Sequence, residues 1–477
     1  MTWTNLTLQT DSYKLGHHEQ YPPGTEHVYS YYESRGGSDY PYTVFFGLQY
    51  YLKHYLEGVR VTHRDIDEGI AFCKEHFGGK SHFNEAMWRH IVDVYNGALP
   101  IEIRAVPEGT IVPTANVLMT ITNTDPKCAP LVNHLETLLC NLWYPCNVAT
   151  LSRLVKHDLR GWLKKNSDVN TPHLDFMLHD FGMRGAACPE AAALGGAAHL
   201  VNFLGTDTVA GIRLANDYYG AGVCGFSVPA TEHSVMTARG RSGEFEVVQQ
   251  LLDTYPSGIL SVVSDSYDIE HACKVYGTVF KDQIMARDGK FVVRPDSGHP
   301  TRTVIRCLEI LEEYFPCTTN NAGEVGYTVL PEQVGLIWGD GIDREGINDI
   351  LRAMDAEGYS SKNIVFGMGG GLLQKHNRDT QRFAFKASSI CINSVWSDIF
   401  KDPVAGRKES KSGRMKLVWE QGEKASVLHT VDHEDPREDQ LMLVFRDGEI
   451  LEEWPWHAVQ LRAEQPQPGE VYEPPAW

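Results

Sequence analysis

The sequence predicts an α/β protein in which a closed or nearly closed barrel of strand, loop and helix modules is accompanied by a β-rich domain built from both chain ends. Three observations carry this expectation. Apolar and polar residues alternate with period two near both ends. The middle repeats, some seven times, a short apolar run, a polar loop and a stretch of helical period. No dinucleotide-binding fingerprint accompanies those repeats, which favours a barrel over an open doubly wound sheet. A length of 477 residues suits two or three domains. The expected boundaries are 1–150 with 386–477 for the β-rich and helical part and 151–385 for the barrel.

The elements follow in order. Residues 100–122 alternate at Ile101, Ile103 and Ala105, then at Val117, Met119 and Ile121, which predicts antiparallel strands around a Pro-Glu-Gly turn. Residues 127–163 read as helical and strongly apolar. The barrel modules are marked by their loops: His179–Arg184, Gly205–Asp207, Ser227–His233, Ser264–Asp268, Arg294–Gly298, Gly339–Gly341 and Gly367–Gly371. Most follow a run such as ILSVV, FVV, VGLIW or NIVF. Helical spacing follows at Val304, Ile305, Leu308 and Leu311, and at Ile347, Ile350, Leu351 and Met354. Near the C-terminus QLMLVFRDGEILEEW reads as a hairpin turning at Asp447-Gly448. The closing AEQPQPGEVYEPPAW predicts a poorly packed tail.

Composition narrows the partners. With 43 Lys and Arg against 62 Asp and Glu, the formal net charge is −19, which argues against nucleic acid and anionic membranes as partners. The apolar runs fall well short of the ~20 residues of a membrane span. The N-terminus shows no secretory signal, so a cytoplasmic location is expected. Ten scattered cysteines without a Cys-x-x-Cys pair suggest reduced core residues.

Any phosphate-bearing ligand must therefore meet a local concentration of positive charge. The loop Gly367–Lys375 lacks the Gly-Lys-[Ser/Thr] of a P-loop and the third glycine of a Rossmann fingerprint. It keeps three consecutive glycines between a strand and an expected helix, where backbone amides can face an anion. Arg378, Lys386, Lys401, Arg407, Lys408, Lys411, Arg414 and Lys416 follow it. The Arg294–Gly298 loop adds a fixed cation and a carboxylate, suited to a diphosphate with a ribose hydroxyl or magnesium. Asp265, Asp268, Asp296 and Asp340 supply hard oxygen donors on the same face. Glu232-His233 exposes an imidazole at a helix start, which is either structural or an acid, base or nucleophile.

The chain resembles the nicotinate/nicotinamide phosphoribosyltransferase family of type II phosphoribosyltransferases, and within it the enzymes acting on nicotinamide. The resemblance runs from TDSYKLGHHEQYPP at 10–23 to the basic segment ending near Lys416. It is carried by YSYYESR, TVFFGLQY, LPIEIRAVPEG, NTDP, LHDFGMRG, AAHLVNFLGTDTVAG, SVPATEHS, SVVSDSYDI, RPDSG, GDGID, GGGLLQK and FKDPVA. It implies a type II phosphoribosyltransferase barrel with a β-rich domain, working as a homodimer with shared active sites. The implied reaction joins nicotinamide to phosphoribosyl pyrophosphate, with Mg2+ required and ATP hydrolysis coupled through a phosphorylated His233. Nicotinate phosphoribosyl transfer is the alternative within the fold, and a non-catalytic binding or signalling protein is the alternative outside enzymology.

The resemblance also assigns residues. Phe181, and Tyr13 of the neighbouring subunit, flank the pyridine ring; Asp207 accepts from the carboxamide and repels nicotinate. Arg184 and Arg294 hold phosphate oxygens, and Asp296 lies near ribose and metal. Asp268 orients His233, with Glu232 beside it. Gly339, Gly369 and Gly370 meet the 5-phosphate through backbone amides, Ser227, Ser264 and Asp340 join the substrate shell, and Arg35, Arg378, Lys386 and Lys401 of the partner complete the anion site. Met368 and Met183 depart from the family pattern, the segment between Arg35 and Tyr42 is short, and the register at Arg407 and Lys408 is ambiguous by one residue.

Overall fold

In the computed structural model, which describes residues 5–167, 173–324, 326–402, 410–422, 426–466, 470 and 472–475, the modules of the middle region form a parallel sheet. Its six strands run in the order Gly205–Thr206, Leu178–Asp180, Ile364–Met368, Val334–Trp338, Asp288–Arg294, Ser257–Val263. Both edges are bridged in parallel by one further segment, through Gly205 with Phe226 and Ala230 with Ser261. Backbone bonds from Thr206 N to Phe226 O and from Thr231 N to Ser261 O strengthen those bridges. The sheet is thus nearly closed by a seventh stave that carries the Ser227–His233 loop.

Strand residues such as Leu260, Val262, Phe291, Val293, Leu336 and Phe366 are buried, as fully covered parallel sheets require. Helices follow the loops at Ile269–Thr278, Pro300–Tyr314 and Arg344–Ala356. Asp268 and Asp343 begin two of them as N-caps, accepting from His271 N (3.0 Å) and Gly346 N (3.1 Å). In the helix Pro300–Tyr314 the buried face is Val304, Cys307, Leu308, Ile310 and Leu311, so Cys307 rather than the expected Ile305 turns inward.

The chain divides into two units, 1–150 with 217–221 and 376–469, and 151–216 with 222–375 and 470–477. The first is built on a seven-stranded antiparallel sheet ordered Val395–Asp398, Ala384–Ile392, Thr25–Glu33, Val117–Asn123, Ile101–Ala105, Met442–Arg446, Glu449–Ile450. Strands from both chain ends therefore share one sheet. Ile101–Ala105 pairs with Val117–Asn123, while the intervening Ile111–Pro113 pairs with Tyr42–Val44. The C-terminal hairpin turns at Asp447 and Gly448, whose φ values of 51° and 90° explain the Asp-Gly pair.

Three boundaries differ from the expected ones. The later division falls at 375/376 instead of 385/386, because buried Gln381 donates to Tyr42 O (2.7 Å) and Thr43 Oγ1 (2.9 Å) while its carbonyl accepts from Arg35 N. Residues 217–221 belong with the β-rich unit: Tyr218 O accepts from Gln49 Nε2 and Lys53 Nζ, and Tyr219 OH donates to buried Glu108. The tail is not poorly packed throughout. Glu470 holds Arg153 through two bonds of 2.7 and 2.8 Å, and Arg160 lies over the Tyr472 ring. No helix among the described residues is long and apolar enough to cross a membrane, and the ten cysteines are free thiols.

Candidate functional site

The C-terminal ends of the parallel strands deliver the loop residues to one mouth. Phe181 follows Leu178–Asp180, Asp207 follows Gly205–Thr206, Asp265 follows Ser257–Val263 and Asp296 follows Asp288–Arg294. Phe181, Asp207, Ser227 and Arg294 line the rim of a cavity of about 250 Å³ that enters the barrel.

Phe181 is held from several sides. The Arg294 guanidinium lies over its ring at 5.5 Å from the centroid. On the other strands glycine makes room: a methyl at Gly367 would stand 2.1 Å from Phe181 Cε2, and one at Gly339 3.1 Å from it. Gly367→Ala is accordingly expected to displace the ring and raise KM for an aromatic substrate by about tenfold or more, measured by steady-state kinetics with the variant's thermal melt as the folding control.

Beneath Phe181, the Asp180 carboxylate accepts from Gly182 N (2.7 Å), and the Asp180 carbonyl accepts from Asp207 N (2.9 Å). Burial pushes Asp180 up to about 6, with the Asp207 charge acting in the same direction and the Gly182 amide against it. The folded state therefore holds this proton more tightly than the unfolded chain. The resulting stability is fully present below the ordinary carboxyl range and is lost as pH rises through about 6. Asp180→Asn can keep the Gly182 bond without burying a charge. Its gain in Tm over the unsubstituted protein should be larger at pH 8 than at pH 5, read by calorimetry.

A line of contacts then runs to the histidine. Arg294 Nη2 donates to Asp296 Oδ1 (3.0 Å), Asp296 Oδ2 lies 4.0 Å from His233 Nδ1, and His233 Nε2 is 3.1 Å from Asp265 Oδ1. Asp265 is only 5% exposed while His233 is 50% exposed, so an oriented imidazole faces open space. With Nε2 donating to Asp265, Nδ1 carries the ring's lone pair. Ser297 Oγ donates to the second Asp265 oxygen, and Ser227 Oγ donates to Asp207.

Several expected placements change. Asp268 makes no ion pair with His233; its carboxylate is committed to the N-cap of Ile269–Thr278, and Asp265 takes the contact instead. The Ser264 hydroxyl is fully buried and internal, donating to Val262 O and accepting from Tyr276 OH. The helix expected after the glycine loop is a single turn, Gly370–Leu373. A Cβ at Gly370 would meet nothing within 4 Å, so the backbone there borders open space. Glu232 stands at the N-cap position of the short helix His233–Met236 without a side-chain bond to the helix backbone, and its carboxylate accepts from Ser234 Oγ. Arg184 and Asp340 are exposed.

The remaining candidates belong to the β-rich unit. Tyr13 is 62% exposed on the turn Ser12–Glu19. Arg35 Nε is 3.2 Å from Glu33, and Lys386 Nζ is 3.9 Å from Glu136. Arg378 is exposed, and Lys401 N donates to Ser410 Oγ. Arg407 and Lys408 lie outside the described residues. A further trio in this unit, His90, Asp125 and Cys128, has the proximity of metal ligands. Asp125 is already occupied by His90, Tyr95 and Lys127 N, and burial pushes the Cys128 thiol up to about 12, which opposes the thiolate a metal needs.

Comparison with known proteins adds sequence relatives. Residues 176–449 match the model of the nicotinate phosphoribosyltransferase (NAPRTase) family, and residues 5–103 match the nicotinamide phosphoribosyltransferase N-terminal domain. The chain is 46% identical over 468 residues to the nicotinamide phosphoribosyltransferase of Xanthomonas campestris pv. campestris, covering 96% of this chain and 98% of the relative. It is 33% identical to that of Acinetobacter baylyi, covering 92% and 93%. In fold it is similar to the nicotinate-nucleotide pyrophosphorylase of Pyrococcus furiosus (TM-score 0.58, 14% identity, 97% and 96% covered) and to human nicotinic acid phosphoribosyltransferase (0.54, 16%, 98% and 96%).

Proposed function

The chain belongs to the nicotinate phosphoribosyltransferase family, and from that premise we infer that it joins nicotinamide to phosphoribosyl pyrophosphate, giving nicotinamide mononucleotide and pyrophosphate in NAD salvage. It is a pentosyltransferase. The nicotinamide-type N-terminal domain and the relatives named for nicotinamide favour this base over nicotinate and favour catalysis over a purely binding role. The observation that best supports the reading is the slot at the cavity mouth, where Phe181 lies under Arg294 and Asp207 shares the rim.

In this proposal the pyridine ring stacks on Phe181, with Tyr13 of the partner subunit on its other face. Asp207 accepts from the carboxamide N–H and penalises a carboxylate in its place. Arg184 and Arg294 neutralise the pyrophosphate as the C–O bond to the ribose weakens, so the transition state's separated charges are held without solvent reorganisation. The amides of Gly339, Gly369 and Gly370 face the 5-phosphate, joined by Arg35, Arg378, Lys386 and Lys401 of the partner. His233, oriented by Asp265, attacks the γ-phosphate of ATP through Nδ1 and releases ADP.

Mg2+ fits the donor set in one way only. Asp265, Asp296 and Asp340 are hard oxygen donors on neighbouring loops, but they do not form a closed group of ligands among the described residues. Asp296 would hold the ion together with substrate phosphates. When bound, magnesium supplies neutralisation of pyrophosphate charge. The expected setting is a cytoplasmic homodimer.

Incubating the chain with nicotinamide and phosphoribosyl pyrophosphate should yield nicotinamide mononucleotide and pyrophosphate in equal amounts; no product would contradict the reading. For shared sites, mixing a Tyr13→Ala chain with a His233→Ala chain should restore activity, and no recovery in verified heterodimers would count against them.

A further inference from the structure

Asp180 closes the short strand Leu178–Asp180 and is fully buried, paired in register with Met368 on one side and Thr206 on the other. It does not line the cavity. Its contacts nevertheless converge on the rim residues Phe181 and Asp207.

The peptide unit between Asp180 and Phe181 is held at both ends: the Asp180 carbonyl accepts from Asp207 N (2.9 Å), and Phe181 N donates to Met368 O (3.0 Å). The next unit, between Phe181 and Gly182, is held by a side chain, because Asp180 Oδ1 accepts from Gly182 N (2.7 Å). A carboxyl bonded to the amide two residues on closes a turn around the residue between them. Both backbone torsions of Phe181 are set in this way, and the backbone in turn selects the rotamers open to its ring.

The carboxyl is also confined from its other side. A Cβ at Gly196 would stand 3.3 Å from Asp180 Oδ2 and 2.9 Å from Thr208 Cγ2, so a glycine at this point lets the helix Pro189–Leu200 close over both groups. Such packing leaves the carboxyl little room to swing away from the Gly182 amide. Burial pushes it up to about 6, so the acid costs stability near neutral pH, and an apolar residue would serve packing better. The bond to Gly182 N is what an apolar residue could not supply.

We propose that Asp180 is a positioning residue for the pyridine slot: its side chain closes the turn that aims the Phe181 ring while its carbonyl holds Asp207, so that ring and acceptor stand in the relation a pyridine carboxamide requires. The inference rests on the transferase reading and adds to it a residue that touches no substrate.

Steady-state kinetics of the unsubstituted chain and of Asp180→Asn, Asp180→Leu and Asp180→Ala test it, with nicotinamide and phosphoribosyl pyrophosphate varied in turn and thermal melts confirming that each variant folds. Asp180→Asn keeps an acceptor for Gly182 N and should hold KM for nicotinamide within about twofold. Asp180→Leu, similar in shape but without an acceptor, and Asp180→Ala should each raise KM for nicotinamide about tenfold or more while KM for phosphoribosyl pyrophosphate moves less than about threefold. An equal rise in both KM values, or a loss confined to kcat, would indicate a general structural role and overturn the proposal. An unmoved KM for nicotinamide in a folded Asp180→Leu or Asp180→Ala chain would do the same. So would a rise of about tenfold in Asp180→Asn, whether or not the other two variants fold. No turnover by the unsubstituted chain would overturn the transferase reading and this inference with it, whereas turnover with any of the contrary results would overturn this inference alone.

Discussion

Replacing Asp207 by asparagine is expected to lower kcat/KM for nicotinamide by about 100-fold and to raise it for nicotinate. The Asp207 backbone N–H is bonded to Asp180 O (2.9 Å), and Ser227 Oγ donates to its carboxylate. Beside it the Arg294 guanidinium lies over the Phe181 ring, and Gly367 and Gly339 leave the room that the ring occupies. An asparagine keeps the shape but halves the acceptor capacity and removes the charge. Losing a charged acceptor for the carboxamide costs about 2–3 kcal/mol, which is the stated factor. The nicotinate gain comes from removing like-charge repulsion and offering an N–H donor. Steady-state kinetics with both bases measure it, and an unchanged ratio in a folded variant would mean that Asp207 does not read the substituent.

The second large effect separates two carboxylates that sit three residues apart. Asp265→Asn should cut the ATP-coupled rate on the order of 100-fold or more, because the imidazole loses the anion that fixes its tautomer at 3.1 Å. Asp268→Ala should leave ATP turnover intact and cost about 1 kcal/mol of stability, the usual value of a helix N-cap, because its carboxylate serves His271 N. ATP hydrolysis and chemical denaturation of the two variants provide the measurements. If Asp268→Ala abolished turnover while Asp265→Asn did not, the assignment would be reversed.

This pair also shows where sequence reasoning reached and where it stopped. Both aspartates occur in Ser264–Asp268, and the loop's place at a strand end was legible from the ILSVV run before it. Which one faces His233 was not, since that contact spans 32 residues and depends on how the seventh stave returns beside Ser257–Val263. A cue existed: Asp268 directly precedes a helical pattern, the position of an N-cap. Ser264 failed for a similar reason, since nothing local announces that Tyr276 OH will occupy its hydroxyl.

The parallel modules and both hairpin-type pairings were readable because period and turn chemistry are local. The division at 375/376 was not, because Gln381 is claimed by Tyr42 and Thr43 more than 300 residues earlier. The glycine run points to its amides, yet its first member, Gly367, is also required by packing, because a Cβ there would run into the Phe181 ring.

The most direct test of the central claim is the ratio of kcat/KM for nicotinamide to that for nicotinate, measured on the unsubstituted protein with saturating phosphoribosyl pyrophosphate. A slot that joins Phe181 to an acceptor carboxylate should give a ratio of about 100 or more in favour of nicotinamide. A ratio of one or below would contradict the account.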